Sequence, residues 1–323
     1  MAETLEHGVC EQTGQSWPVP WMPVEGTRDT FGAKVEYLAM RTATRFAARL
    51  PEFLLRPLIG GLARLARVVD RSHTRAAREF ISQALGPELS DAELDERVLQ
   101  AYRHLIGITV RAEGWKRHIR VDDWRQHLDV DVSPEFESLK GRGSILICPH
   151  LGDWEAGVGF LPLMGYNPLY AIARPPKNRP MSQFLQRTRE SRGLRVLPRR
   201  GGIQLASQVV EGGGILCLLI DQRARDRGVV APFFGRPALC DRSAGVLLRR
   251  LKVPIGLGAV YVTDEPYRFK LVGRTVLEPD EYSGQSVEEI ITRINGELEK
   301  LILEAPEQYF WLHDRYRGAP PVE

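Results

Sequence analysis

From Gly143 onward the chain alternates short, wholly apolar, β-rich runs with helical stretches, and this alternation restricts the possible folds more than any other feature. The runs are Ser144-Ile-Leu-Ile-Cys148, Leu169-Tyr-Ala-Ile-Ala173, Ile215-Leu-Cys-Leu-Leu-Ile220 and Ile255-Gly-Leu-Gly-Ala-Val-Tyr261. A strand with one wet face alternates apolar and polar residues, whereas a continuous apolar run needs cover on both faces. The expected fold class is therefore α/β, with a central, mostly parallel sheet flanked by helices. Residues 34–130 read as helices, with boundaries at Pro51, at Gly86-Pro87 and at Ser90 ahead of Asp91-Ala92-Glu93. Before them, Pro18, Pro20 and Pro23 exclude a helix around Trp17 and Trp21.

The expected organisation is an irregular leader over 1–32, a helical and membrane-interfacial region over 33–130, an α/β core over 131–317 and a tail over 318–323. The interfacial reading comes from the segment Pro57–Arg71. At roughly 100° per residue, Leu58, Ile59, Leu62, Leu65, Ala66 and Val69 share an arc of about 100°. Arg64, Arg67 and Arg71 cluster on the opposite side, the pattern of a helix lying in a membrane surface. An ordinary helix covering the core is the alternative. No uncharged apolar run of membrane-spanning length is present, and the first residues lack the order of a signal peptide.

With 43% hydrophobic and 26% charged residues, the 323-residue chain carries enough apolar material for a core and is no disulfide scaffold or disordered tail. Its net charge of +3 is made largely of arginine, crowded into Arg41–Arg78 and Arg174–Arg200. Guanidinium forks suit phosphate and carboxylate, so an anionic partner is the sharper reading and a solvated surface the plainer one. Nucleic acid is not expected, because no recognised binding pattern accompanies the charge. The four cysteines, Cys10, Cys148, Cys217 and Cys240, show no pairing pattern.

The block Gly143–Glu155 carries the chemistry. An apolar strand ends at Pro149-His150, and a helix begins near Asp153, an N-cap residue. Reacting groups of α/β sheets gather at the carboxyl ends of strands. Five residues apart, His150 and Glu155 stand roughly 140° round a regular helix. They meet only if His150 lies in the turn and Glu155 in the first helical turn. A carboxylate on one imidazole nitrogen fixes the tautomer and leaves the other nitrogen to accept a proton, giving a general base. A serine-hydrolase elbow and a zinc-protease motif are both missing, and Gly212-Gly213-Gly214 precedes a strand, as a turn does. Cys148 reads as a packed structural thiol.

The segment His150-Leu-Gly-Asp-Trp-Glu155 resembles the H-x4-[DE] motif of the bacterial lipid A biosynthesis acyltransferases. The similarity continues in Ala173-Arg174-Pro175-Pro-Lys-Asn178, in Ile220-Asp221-Gln222, in Ala231-Pro-Phe-Phe-Gly235 and in the closing Ala305-Pro-Glu-Gln-Tyr-Phe-Trp-Leu-His313. Asp153 stands where asparagine is usual, and Asp314 where arginine is usual. The resemblance implies a glycerol-3-phosphate acyltransferase-like fold. It also implies transfer of an acyl chain from a thioester, on acyl carrier protein or coenzyme A, to a hydroxyl of a lipid A-type glycolipid. His150 would be the base and Glu155 its orienting group, with Arg174, Asn178, Asp221 and Gln222 supporting or binding substrate. No metal or organic cofactor is implied. The expected location is the cytoplasmic face of the inner (plasma) membrane, peripherally attached to an anionic surface. Two other readings stay open: the same chemistry on another acceptor such as a phosphatidylinositol mannoside, and a non-catalytic lipid- or carrier-binding protein.

Overall fold

A computed structural model describes residues 27–86, 88–173, 176–197, 202–224 and 228–320. The Trp17–Pro23 segment, Cys10 and Arg174 lie outside them. Four helices come first: α1 (Phe31–Ala47), α2 (Glu52–Val69), α3 (Arg71–Leu85) and α4 (Asp91–His118). Their ends follow local chemistry. Thr30 caps α1, Asp70 caps α3, and Ser90 with Glu93 forms a reciprocal capping box at the start of α4.

Then come β1 (Leu128–Val132), α5 (Pro134–Glu137), β2 (Ser144–Ile147), α6 (Trp154–Leu163), β3 (Leu169–Ile172), α7 (Arg179–Ser191), β4 (Leu194–Leu197), α8 (Gly202–Glu211) and β5 (Ile215–Leu218). A hairpin of β6 (Val229–Phe233) and β7 (Arg236–Cys240) follows, then α9 (Arg242–Leu251), β8 (Ile255–Val262), β9 (Phe269–Leu277), α10 (Pro279–Tyr282) and α11 (Val287–Glu304).

Among the described residues the main sheet has seven strands in the order β1-β9-β8-β2-β5-β3-β4. Every pairing is parallel except β8 with β9. The four apolar runs become β2, β3, β5 and β8, and residues 144–147 of β2 are all buried. Alternate residues face opposite ways. Ile145, Ile147, Leu216 and Leu218 join the core shared with α8, α9 and α11. Leu146, Leu169, Ala171 and Leu194 turn to the other side, toward α5 and α6.

The helix α2 packs on α4 through its smallest residues, Gly60 and Ala63, which are buried. Its large residues point outward instead. Phe53, Leu62, Leu65 and Val69 are 75%, 45%, 60% and 73% exposed, and α1 presents Phe31, Val35, Leu38 and Phe46 likewise. Of the apolar arc read from the sequence, only Ile59 and Ala66 are half-buried. No helix among the described residues is long and apolar enough to cross a membrane.

Candidate active site

The site forms where β2 and β5 end side by side. Beyond β2 the chain turns through Pro149–Gly152, and Gly152 adopts φ +59°. A Cβ at that position would stand 2.0 Å from the Val260 carbonyl oxygen, so the turn needs glycine for both conformation and space. From α4, His104 Nε2 donates to the Gly152 carbonyl at 2.8 Å. Asp153 then caps α6 by accepting from the Ala156 amide, and its other oxygen binds Arg111 at 2.8 Å. Burial raises the Asp153 carboxyl above its usual range despite that arginine. This turn aims the imidazole of His150 at β5.

There it meets Asp221, which is 1% exposed. The backbone N–H of His150 donates to Asp221 Oδ2 at 2.8 Å, and Nδ1 lies 2.7 Å from Oδ1. Because an ionised carboxylate only accepts, Nδ1 carries a proton, which in the neutral imidazole leaves the lone pair on Nε2. Burial works to raise the Asp221 carboxyl, but the charge and hydrogen bonds of His150 outweigh it and hold the group below its usual range. The side chain of Gln222 stands 3.4 Å from Nε2, with its amide nitrogen toward it.

The carboxylate on the imidazole is Asp221 and not Glu155. Glu155 occupies the first turn of α6 as expected, but its carboxylate takes two hydrogen bonds from Arg189 at the end of α7, one of them 3.2 Å long. The reason is the turn itself: it sends His150 toward β5, while the helical rotation over Trp154 and Glu155 points the carboxylate toward α7. Burial would raise the Glu155 carboxyl, and the Arg189 guanidinium instead keeps it low. Asn178 also has a different part. It is buried, accepts from the Met181 amide as the cap of α7, and donates to the Ala33 carbonyl at 2.8 Å, tying α1 to α7.

The segment after α11 braces the site from the far side. Phe310 donates its N–H to the His150 carbonyl at 2.9 Å, and Gly152 donates to the Gln308 carbonyl at 3.0 Å. The amide of Gln308 holds both the N–H and the carbonyl of Val262, at 2.8 and 2.9 Å. His313 Nε2 accepts from the Arg223 amide at 2.7 Å, next to Gln222.

His150, Glu155, Arg189 and Gln222 all line one cavity of about 390 Å³. Its other walls are apolar and come from the sheet and from α6, including Cys148, Ala171, Val158, Leu161 and Leu194. Burial first, and the Asp221 charge second, push the Cys148 thiol up to about 12, so it is no thiolate nucleophile at neutral pH. Sequence reasoning missed Arg189. Its sole signal was membership of the arginine-rich stretch 174–200, which singles out no residue.

A histidine held by a buried carboxylate, lining a largely apolar cavity at the carboxyl ends of central strands, is an arrangement suited to an enzyme. Residues 35–318 match the model of the bacterial lipid A biosynthesis acyltransferases, and the chain belongs to that family; it is an acyltransferase. It is 26% identical over 216 residues to a phosphatidylinositol mannoside acyltransferase of Mycolicibacterium smegmatis, covering 64% of this chain and 69% of that one. It is 25% identical over 188 residues to a lipid A biosynthesis palmitoleoyltransferase of Escherichia coli, covering 57% and 59%. A phosphatidylinositol mannoside acyltransferase of Mycobacterium tuberculosis is 29% identical over 101 residues, a span of 30% of this chain and 32% of that one.

Proposed function

We propose that this acyltransferase moves a fatty acyl chain from a thioester, on acyl carrier protein or coenzyme A, directly to a hydroxyl of a glycolipid. The observation that carries the reading is the setting of His150: Nδ1 bound to Asp221 and the imidazole lining a largely apolar cavity of about 390 Å³. The acyl chain lies in that cavity and presents its thioester carbonyl near Nε2. His150 takes the proton of the acceptor hydroxyl, and Asp221 stabilises the imidazolium that results. The alkoxide attacks the carbonyl, a C–O bond forms, the C–S bond breaks, and the proton passes from His150 to the departing thiolate. Arg189, held by Glu155 at the cavity wall, supplies positive charge toward the developing oxyanion.

The acceptor in this reading is a lipid A-type glycolipid. A phosphatidylinositol mannoside is the second reading, favoured by the names of two of the relatives above. The enzyme works at the cytoplasmic face of the inner membrane, held peripherally by the exposed apolar faces of α1 and α2 and by neighbouring arginines. The test is direct. Purified protein is given acyl donor with each acceptor class, and the lipid products are read by mass spectrometry. One added acyl group on one class assigns the acceptor, and no acylated lipid with either class overturns the reading.

A further inference from the structure

The cavity has a graded wall. Nearest His150 its sheet side is built from Cys148 and Ala173, with Gly157 opposite on α6, and Leu146, Cys217 and Ala171 stand level with one another next. Toward the strand starts the lining becomes Leu169 and Leu194. Beside them stands Phe136, 3% exposed, on the short helix α5 whose start Ser133 caps at 3.2 Å. Its ring lies against two glycines of the sheet. A Cβ at Gly273 would come within 2.5 Å of the ring, and one at Gly256 within 3.0 Å. Neither glycine has a positive φ, so what they provide is room, Gly273 for the ring and Gly256 for Leu139, Leu146 and the ring's edge. The registers Leu146↔Gly256 and Gly258↔Gly273 put the ring beside the stretch from Leu146 toward Cys148. Its deeper end is four residues before His150, at most about 13 Å by strand spacing.

Building on the acyl-site reading above, we propose that Phe136, seated on Gly256 and Gly273, is the stop that limits the length of the acyl chain the cavity accepts. An extended chain advances roughly 1.3 Å per carbon, so the ring meets a chain at about its tenth carbon. Carbons short of the ring exchange water for apolar wall and each adds affinity. Carbons beyond it find no space. Truncating Phe136 opens the cavity onto the two glycines and moves the stop deeper.

The experiment measures affinity for saturated fatty acids, stepped two carbons at a time from octanoate to stearate, by displacement of a fluorescent fatty acid from the full-length protein. In the wild type, affinity should rise about fourfold per methylene and then level off. In Phe136→Ala the rise should continue for about two to four further carbons before levelling. Phe136→Leu, which keeps an apolar plug and protects the fold, should shift the break by a smaller amount in the same direction. A break at the same chain length in a folded Phe136→Ala or Phe136→Leu protein overturns the proposal and leaves the acyl-site reading standing. Affinity independent of chain length in the wild type overturns both.

Discussion

At the residue scale, two carboxylates close to one histidine have separable effects. His150→Ala removes the base and should lower turnover by about 10² to 10⁴-fold. Because the imidazole is half-buried at the cavity wall and not in the core, the melting temperature should stay near the wild type. Asp221→Asn keeps the shape but loses the charge beside the imidazolium, so turnover should again fall by at least about 10²-fold. Glu155→Gln is different in kind. It strands Arg189 in a partly buried position, so thermal unfolding should report a loss of about 3 kcal/mol, the lower end for breaking a buried pair. If instead Glu155→Gln unfolds like the wild type while Asp221→Asn is fully active, the two carboxylates do not divide the work in this way. His150 and Glu155 were picked out by a short local pattern at the end of a strand, and Asp221 and Gln222 only by the family resemblance. Which carboxylate met the imidazole was not legible. That depends on a positive-φ turn at Gly152 and on a strand 71 residues away, neither of which local spacing encodes.

At the element scale, legibility followed burial. The strands β2, β3, β5 and β8 were readable because burial on both faces makes them continuous apolar runs. β4 is four residues long and contains Arg195, and β6 contains Pro232. β9 carries Lys270 and Arg274, which pair with Asp131 of β1 across the wet edge. Such charges on a strand erase the pattern that identified the others. The helix α2 was legible as amphipathic, but the side it would bury was not. Gly60 and Ala63 decide it, since their lack of bulk lets α2 lie close on α4 and leaves the leucines outside. Replacing Leu62 and Leu65 with glutamine should therefore change stability by no more than about 0.5 kcal/mol, as for other exposed sites. The same change should abolish flotation with anionic liposomes. Arg64→Glu and Arg71→Glu should each weaken that flotation by about 1 kcal/mol. Arg67 already serves Asp95 at 3.0 Å, so its reversal should also cost stability. Liposome flotation untouched by the leucine changes would return α2 to the role of a plain covering helix.

At the scale of the whole molecule, two histidines set the acid limit. His104 is brought down to about 4, chiefly by burial, then by Arg111 and against its bond to Gly152. His313 is also brought down to about 4, again chiefly by burial, with Arg315 adding to it. Both are neutral in the fold, while in the unfolded chain they gain protons as pH falls through about 6.5. Between about pH 6.5 and 4 the unfolded state thus binds more protons, so stability falls on acidification. The slope is at most about 1.4 kcal/mol per pH unit for each histidine. Asp153 and Glu190, whose carboxyls burial raises, act in the opposite sense at the acid end of this window. Melting temperatures at about pH 7.5 and 5 should differ clearly in the wild type and less in His104→Gln, which keeps a donor for the Gly152 carbonyl. An equal pH dependence in both proteins would remove His104 from the account.

The brace around His150 has a consequence in time. The carbonyl of His150 and the turn behind it are held by Phe310 and Gln308, more than 150 residues downstream. The outer helices α1 and α2, with their bare leucines, leave the ribosome long before those residues are made. On the membrane-surface reading proposed above, a nascent chain would meet the bilayer while its site is still unfinished, and would become competent only once the stretch through His313 has been translated and docked. Arrival would come first and activity second, an order set by the direction of synthesis.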